Sequence, residues 1–172
     1  NTASAKLVLA SASPRRLALL AQAGLVPAAV LSPEIDETPQ KAALPREHAL
    51  RLAAQKARAA AARCPDGPAY ILSADTVVAC GRRILPKAET PEQVRACLDL
   101  LSGRRHQVIT AVALLSPNGR LVTKAALTRV SFRRLQGAEI ESNVAGGEGL
   151  GKAGGYAIQG RAEMFVKEIS GA

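Results

Sequence analysis

The apolar run Lys6-Leu7-Val8-Leu9-Ala10 leads directly into Ser13-Pro14, and this junction constrains the fold more than any other part of the chain. A short run without polar alternation reads as a strand buried on both faces. Serine is a strong helix N-cap, and proline suits the first helical position, where its missing N–H costs nothing. Leu17, Leu20 and Ala21 then recur at helical spacing until Gly24, so a helix is expected over 14–23.

The rest of the chain extends this strand-to-helix pattern. A proline-punctuated polar segment, 32–45, reads as a loop and carries Glu34, Asp36 and Glu37. An alanine-rich helix follows over 46–63, with Ala49, Ala53, Ala57 and Ala60 on one face and Arg51, Gln55 and Arg58 on the opposite one. Residues 70–80 form a strand-like run that contains Ser73 and Asp75, and Gly81-Arg82 turns it into a short return through Ile84-Leu85. Thr90-Pro91-Glu92-Gln93 is a capping box that opens a helix through Val94, Cys97, Leu98 and Leu101. Strands over 108–115 and 121–132 flank Pro117-Asn118-Gly119, the clearest hairpin signal present. A short helix over 139–144 and a last strand over 164–169 complete the pattern. Between them lie Gly146, Gly147, Gly149, Gly151, Gly154, Gly155 and Gly160, half of the 14 glycines, where the backbone is either mobile or shaped to approach a ligand closely. Early alternation of strands and helices with a hairpin in the middle predicts an α/β fold, a mixed sheet flanked by helices.

Composition narrows the function classes. With 172 residues and 48% hydrophobic content the chain can bury one substantial core, and it reads as one domain. Aromatic residues make up only 2%, so the core is built from Leu, Val, Ile and Ala, and a base-stacking single-strand binder is disfavoured. A net charge of +9 points to an anionic partner, although most of the 23 Lys and Arg read as an ordinary solvated surface. Cys64, Cys80 and Cys97 offer neither a zinc pair nor a disulfide frame, and they read as small buried hydrophobes in a reducing compartment. No run of about 18 apolar residues is present. The expectation is a cytoplasmic protein that binds neither membrane nor nucleic acid stably.

Several residues break local rules in ways that suggest chemistry. Arg15 and Arg16 occupy the first helical turn, where cations oppose the helix dipole at about 0.3–1 kcal/mol each. A phosphate bound among the free N–H groups reverses that penalty, whereas both side chains pointing to solvent is the alternative. Asp75 lies inside an apolar run, so its burial calls for a metal or a cation, unless it shapes a turn at a strand end. Lys56 falls on the apolar face of its helix, four residues after Leu52; it either snorkels to solvent or points its charge into the fold. Lys87 and Lys152 carry no signal singly. His48 and His106 lack any spacing for a metal pair or a triad and read as structural.

Taken in order, Ser11-Ala12-Ser13-Pro14-Arg15-Arg16 with Leu19-Leu20, Gln55-Lys56-Ala57, Ser73-Ala74-Asp75-Thr76-Val77-Val78, Leu101-Ser102-Gly103 with His106, and the segment from Gly151-Lys152 to Gln159-Gly160 resemble the signature motifs of the Maf family of nucleotide pyrophosphatases. The resemblance spans nearly the whole chain. It implies an inosine-triphosphatase-like, two-lobed architecture with a central cleft, commonly dimeric, that hydrolyses nucleoside triphosphates at the α–β bond with a divalent metal, Mg²⁺ or Mn²⁺. Carried onto this sequence, it implies that Ser11, Arg16, Lys56 and Lys87 hold the triphosphate and that Glu34 and Asp75 serve metal and water. Ser13 and Lys152 join the substrate-binding set. Arg15, Thr76 and Gln159 match the subfamily that resembles dTTP/UTP pyrophosphatases rather than the one acting on 7-methyl-GTP. This sequence departs from the pattern at Ser73, where glycine is usual, and at Leu85-Pro86-Lys87-Ala88. The family's Val-Gly-Leu-Pro segment and final helix have no counterpart in it.

The physical logic runs parallel. Phosphoanhydride hydrolysis needs in-line water and neutralisation of developing charge more than covalent help from the protein. Arg16, Lys56 and Lys87 supply positive charge, and a metal held by Asp75 and Glu34 lowers the pKa of water. Whether Asp75 serves as ligand, general base or both stays open. The rival classes are a regulatory protein of cell division or septum formation that binds nucleotide without turnover, and a general nucleic-acid binder with steep salt dependence.

Overall fold

The computed structural model describes residues 5–64 and 67–172. In chain order the elements are β1 (Lys6–Ala10), α1 (Pro14–Gln22), β2 (Ala29–Leu31), α2 (Pro45–Arg63), β3 (Ala69–Cys80), β4 (Arg83–Leu85), α3 (Pro91–Leu101), β5 (Arg105–Leu115), β6 (Leu121–Phe132), α4 (Gly137–Gly146), a 3₁₀ turn (Arg161–Phe165) and β7 (Val166–Gly171). The seven strands form one mixed sheet in the order β2-β1-β3-β5-β6-β7, with β4 paired to β3. β1 runs parallel to both β2 and β3, whereas β4 and β7 run antiparallel to β3 and β6. The mixed α/β architecture expected from the sequence is therefore observed. Two elements were not foreseen, β2 and the 3₁₀ turn, each too short to show a period. Among the described residues no helix is long and apolar enough to cross a membrane.

The chain divides into two compact units, one running to Asp75 and including Thr110–Ala125, the other comprising Thr76–Ile109 and Ala126–Ala172. In the first unit β1 is the buried strand its sequence implies, with Val8, Leu9 and Ala10 almost inaccessible. The expected alanine stripe of α2 is fully buried: Ala49, Ala53, Ala57 and Ala60 expose nothing. Side chains this small let a helix backbone lie close against its neighbours. α1 behaves differently, because none of its residues is buried and its leucines stay accessible.

The second unit has its own core, in which Val94, Cys97, Leu98 and Leu101 of α3 meet Phe132, Ile140, Tyr156 and Phe165. The capping box at Thr90 forms as expected, with the Gln93 N–H donating to Thr90 Oγ1 at 3.2 Å and the Thr90 N–H donating to Gln93 Oε1 at 3.3 Å. His106, expected to be structural, is buried and hydrogen-bonds Tyr156 Oη through Nε2 at 2.6 Å. Burial holds its imidazole down at about 4, so the ring is neutral at pH 7.

The glycine-rich segment owes its composition to packing within this unit. Gly154 has φ +71, and a Cβ placed there would sit 2.8 Å from Val78 Cγ1; one on Gly155 would press on Cys97 and Val94. Backbone bonds lace the segment to the residues after β4: the Ala88 N–H donates to the Lys152 carbonyl and the Gly154 N–H to that of Pro86. Gly154→Ala should therefore cost roughly 2–4 kcal/mol, combining overpacking with the left-handed backbone penalty. Gly119→Ala, at φ +83 with nothing within 4 Å, meets only the backbone part. Urea unfolding of both variants checks this, and equal losses would show that the Val78 contact is not what demands glycine.

Candidate active site

The chemistry-bearing residues of the first unit converge on the segment of β3 around Asp75. β3 turns Ser73 and Asp75 to the same face by its two-residue repeat, and both side chains are buried. The Ser73 hydroxyl donates to the Ala53 carbonyl in α2, which ties strand to helix. That bond accounts for serine at this position, because a buried hydroxyl needs a partner. One turn further along α2, Lys56 projects the same way, and its Nζ donates to Asp75 Oδ1.

The sequence left open whether Lys56 reaches solvent or turns inward. It turns inward, with only 13% of its side chain exposed, and contacts a second carboxylate, Glu37 Oε1, at 2.9 Å. Burial pulls the Lys56 pKa down, but the charges and hydrogen bonds of Asp75 and Glu37 more than offset it, and the net shift is upward. Lys56 is thus a permanent ammonium at neutral pH and not a base. The partner carboxylate is Glu37 rather than Glu34, which lies three residues earlier in the same loop and is exposed. An Asx turn, in which the Thr38 N–H donates to Asp36 Oδ1 at 2.9 Å, shapes the loop at this point.

Arg16 approaches from α1. Its Nη1 donates to Ser11 Oγ at 2.9 Å and to the Ala74 carbonyl at 2.8 Å. Burial lowers its pKa while the nearby Asp75 charge opposes the shift; a guanidinium stays protonated throughout the working range. Ser11 Oγ also accepts from the Ser13 N–H at 3.2 Å, so Ser11 pins the start of α1. Ser13 occupies the N-cap position but makes no side-chain cap bond. Arg15 is exposed. Ser11, Arg16, Lys56 and Asp75 are thus brought together, and Glu37 with them.

The remaining candidates belong to the second unit. Thr76, the next residue on β3, is half-buried. Lys87 forms an antiparallel bridge with Ala153, which sets it beside Lys152; Lys87 and Gln159 are exposed and Lys152 is half-buried.

Two further residues, His48 and Arg51, adjoin the loop that carries Glu37. His48, on the first turns of α2, is buried, and its Nδ1 accepts from Arg51 Nη2 at 3.0 Å. Burial and then the Arg51 charge lower its pKa, which suits a neutral ring. The only local signal for either was their spacing of three residues on one helix.

The Maf-like protein family matches residues 6–172. The chain belongs to the Maf family. A dTTP/UTP pyrophosphatase of Caulobacter vibrioides is 57% identical over 165 residues, 96% of this chain and 84% of that protein. One of Rhodospirillum rubrum is 55% identical over 168 residues, 98% of this chain and 79% of that protein. Among solved structures, the Ham1 protein of Staphylococcus aureus aligns with a TM-score of 0.51 at 15% identity, covering 73% of this chain and 71% of that one. A HAM1 protein from Coxiella burnetii gives 0.50 at 18%, covering 76% and 74%. At such identities these structures speak to the fold of this Maf protein and not to its chemistry.

Removing one partner of a buried ion pair strands the other charge and costs roughly 3–5 kcal/mol. Lys56→Met is therefore expected to lose about 3 kcal/mol, and adding Asp75→Asn should restore part of it by removing the stranded charge. Since the folded-state pKa of Lys56 is raised, its contribution is fully present below the ordinary lysine range and fades only as pH climbs past the raised value. Urea midpoints at neutral pH test this; an unchanged Lys56→Met midpoint would rule out the ion pair as a stabilising element.

Proposed function

We propose that this protein hydrolyses nucleoside triphosphates, dTTP, UTP and modified pyrimidine nucleotides among them, to the monophosphate and pyrophosphate. The observation that carries the reading is the buried Lys56 ammonium set between Asp75 and Glu37 with Arg16 alongside, in a chain that matches dTTP/UTP pyrophosphatases over almost its whole length. In the reaction one water oxygen bonds to the α-phosphorus, the bond from that phosphorus to the α–β bridging oxygen breaks, and pyrophosphate leaves with that oxygen. The water proton passes to a carboxylate or to solvent. Lys56 and Arg16 offset charge that builds on the phosphate oxygens, and because both are preset no reorganisation is needed as the charge develops. Asp75 is the residue proposed to orient the attacking water and accept its proton.

Pyrophosphatases of this kind generally use divalent metals. Among the described residues no group of three or more His, Cys, Asp or Glu is placed to hold one. A magnesium site assembled on a substrate needs only one or two carboxylates, the remaining ligands being phosphate oxygens and water. Asp75 and Glu37, already gathered on one cation, fit that requirement and are proposed to hold the metal, together with the exposed Glu34 that the motif match implies for it. Bound there, a divalent cation would acidify water and neutralise phosphate charge.

The other roles rest on the motif match. Ser11, Ser13, Lys87 and Lys152 are proposed to bind phosphates, and Arg15, Thr76 and Gln159 to set the base preference. Residues 1–172 are taken as one functional domain, and a cytoplasmic homodimer belongs to the same proposal. A binder without turnover is the rival reading. Against it stand the two carboxylates, because acids facing a polyphosphate repel it and serve a protein that must break a bond rather than merely hold the ligand.

A panel of nucleoside triphosphates that includes 7-methyl-GTP, scored for monophosphate and pyrophosphate with Mg²⁺ or Mn²⁺, tests the reading directly. Asp75→Asn should fold and lose at least ~10³-fold in kcat, a scale typical of removing a group that acts in the transition state. Full turnover by that variant would remove Asp75 from the mechanism, and tight nucleotide binding without hydrolysis by the unaltered protein would establish the rival. Arg15→Ala and Gln159→Ala should narrow the gap in kcat/KM between the best and poorest bases more than they slow the best substrate. Selectivity that stays unchanged would take both residues out of base recognition.

A further inference from the structure

The loop that carries Glu37 is tied to α2 by polar bonds. Beyond Glu37 and Thr38, a cavity of about 270 Å³ opens between the loop and the first turns of α2, lined in part by Lys41, Ala42, Glu47 and Arg51. Ala42 adopts φ +60, a left-handed conformation that costs a non-glycine residue about 1 kcal/mol. Against this background one side chain gathers the contacts. Arg51 Nη2 donates to the Thr38 carbonyl at 3.0 Å and to His48 Nδ1, while Nη1 donates to Gln55 Oε1 at 3.2 Å. Arginine is a donor only, so Nδ1 of His48 accepts and the neutral ring carries its proton on Nε2. The backbone at Thr38 is therefore held from α2 by Arg51, whose guanidinium is itself braced by His48 and Gln55, and the Glu37 carboxylate meets the same helix one turn later at Lys56.

We infer that Arg51, braced by His48 and acting through the Thr38 carbonyl, is a positioning residue that sets where the Glu37 carboxylate lies. The inference deepens the proposed function, since it takes Glu37 to serve the reaction. Arg51 touches neither Lys56 nor Asp75 in any described contact and acts through the backbone it holds. Its fork delivers bonds in three directions from one rigid plane, which a lysine ammonium on a flexible stem does not reproduce.

Hydrogen exchange followed by mass spectrometry, combined with steady-state kinetics, tests this on the full chain with dTTP as probe. In Arg51→Ala, amides of residues 36–40 should exchange at least ~10-fold faster while the centre of α2 keeps its protection. Hydrolysis should fall by ~10–100-fold, mainly in kcat, since a misplaced carboxylate affects the transition state more than ground-state binding. Arg51→Lys, which keeps charge and helix propensity and so is expected to fold, should recover little of either. In a Glu37→Gln background Arg51→Ala should add less than ~2-fold, because two changes on one chain of action are not additive. Unchanged loop exchange in Arg51→Ala, full rescue by Arg51→Lys, or losses that multiply in the double variant would each overturn the inference. Wild-type turnover by Glu37→Gln would overturn it by another route, striking the role of Glu37 itself, and the exchange data would show that the clamp exists all the same.

Discussion

An ammonium can be taken out of water only where carboxylates replace the lost hydration, and the first unit is organised around meeting that condition for Lys56. The helix comes close because its inner face is alanine. Ala53 and Ala57 expose no surface, and the Ser73 hydroxyl reaches the helix backbone directly. At that separation a lysine stem is long enough to carry Nζ to Asp75, and the cation in turn gives the buried Asp75 side chain a polar partner inside β3. Each charge is the reason the other is tolerated. Larger residues at 53 or 57 would force the helix outward, and the pair would open to water.

This dependence explains what could and could not be seen in the sequence. The features that local rules govern were legible: the proline-started helices, the capping box at Thr90 and Gln93, and the turn at Asn118-Gly119, where the Arg120 N–H is bound by Asn118 Oδ1. The alanine stripe identified which face of α2 is buried and placed Lys56 on it. The target of Lys56 was beyond reach, because it lies on another element. β2, three residues long, exists only through its parallel pairing with β1. The acidic cluster at 34–37 stood out, yet no periodicity applies to a loop, and no local rule indicates that Glu37 is the acid that pairs with Lys56. Arg51 was read as belonging to the solvated face of its helix; the loop crossing that face gives it partners instead.

The glycine-rich segment shows the same limit from the other side. Its composition suggested either mobility or close approach to a ligand. Among the described contacts the close approach is to the protein's own Val78, Val94 and Cys97. Glycine marks a place where something comes near the backbone, and composition does not say what. The tight course of the segment still bears on function, since it fixes Lys152 on the residues that follow β4 and so fixes it beside Lys87.

A protein with a net charge of +9 could hold a polyphosphate with cations alone, and adding acids to such a site weakens binding. Here the two acids are not incidental surface groups. Asp75 is buried in a strand, Glu37 sits in a shaped loop, and both are joined to Lys56, whose side chain is largely shielded. Burying a carboxylate costs several kcal/mol unless it is paired, and hydrophobic residues of similar size would fill the same space more cheaply. The stability of the fold does not call for this arrangement. Under the proposed function, breaking a phosphoanhydride bond does, because there water, phosphate charge and a proton acceptor have to be managed at a single point.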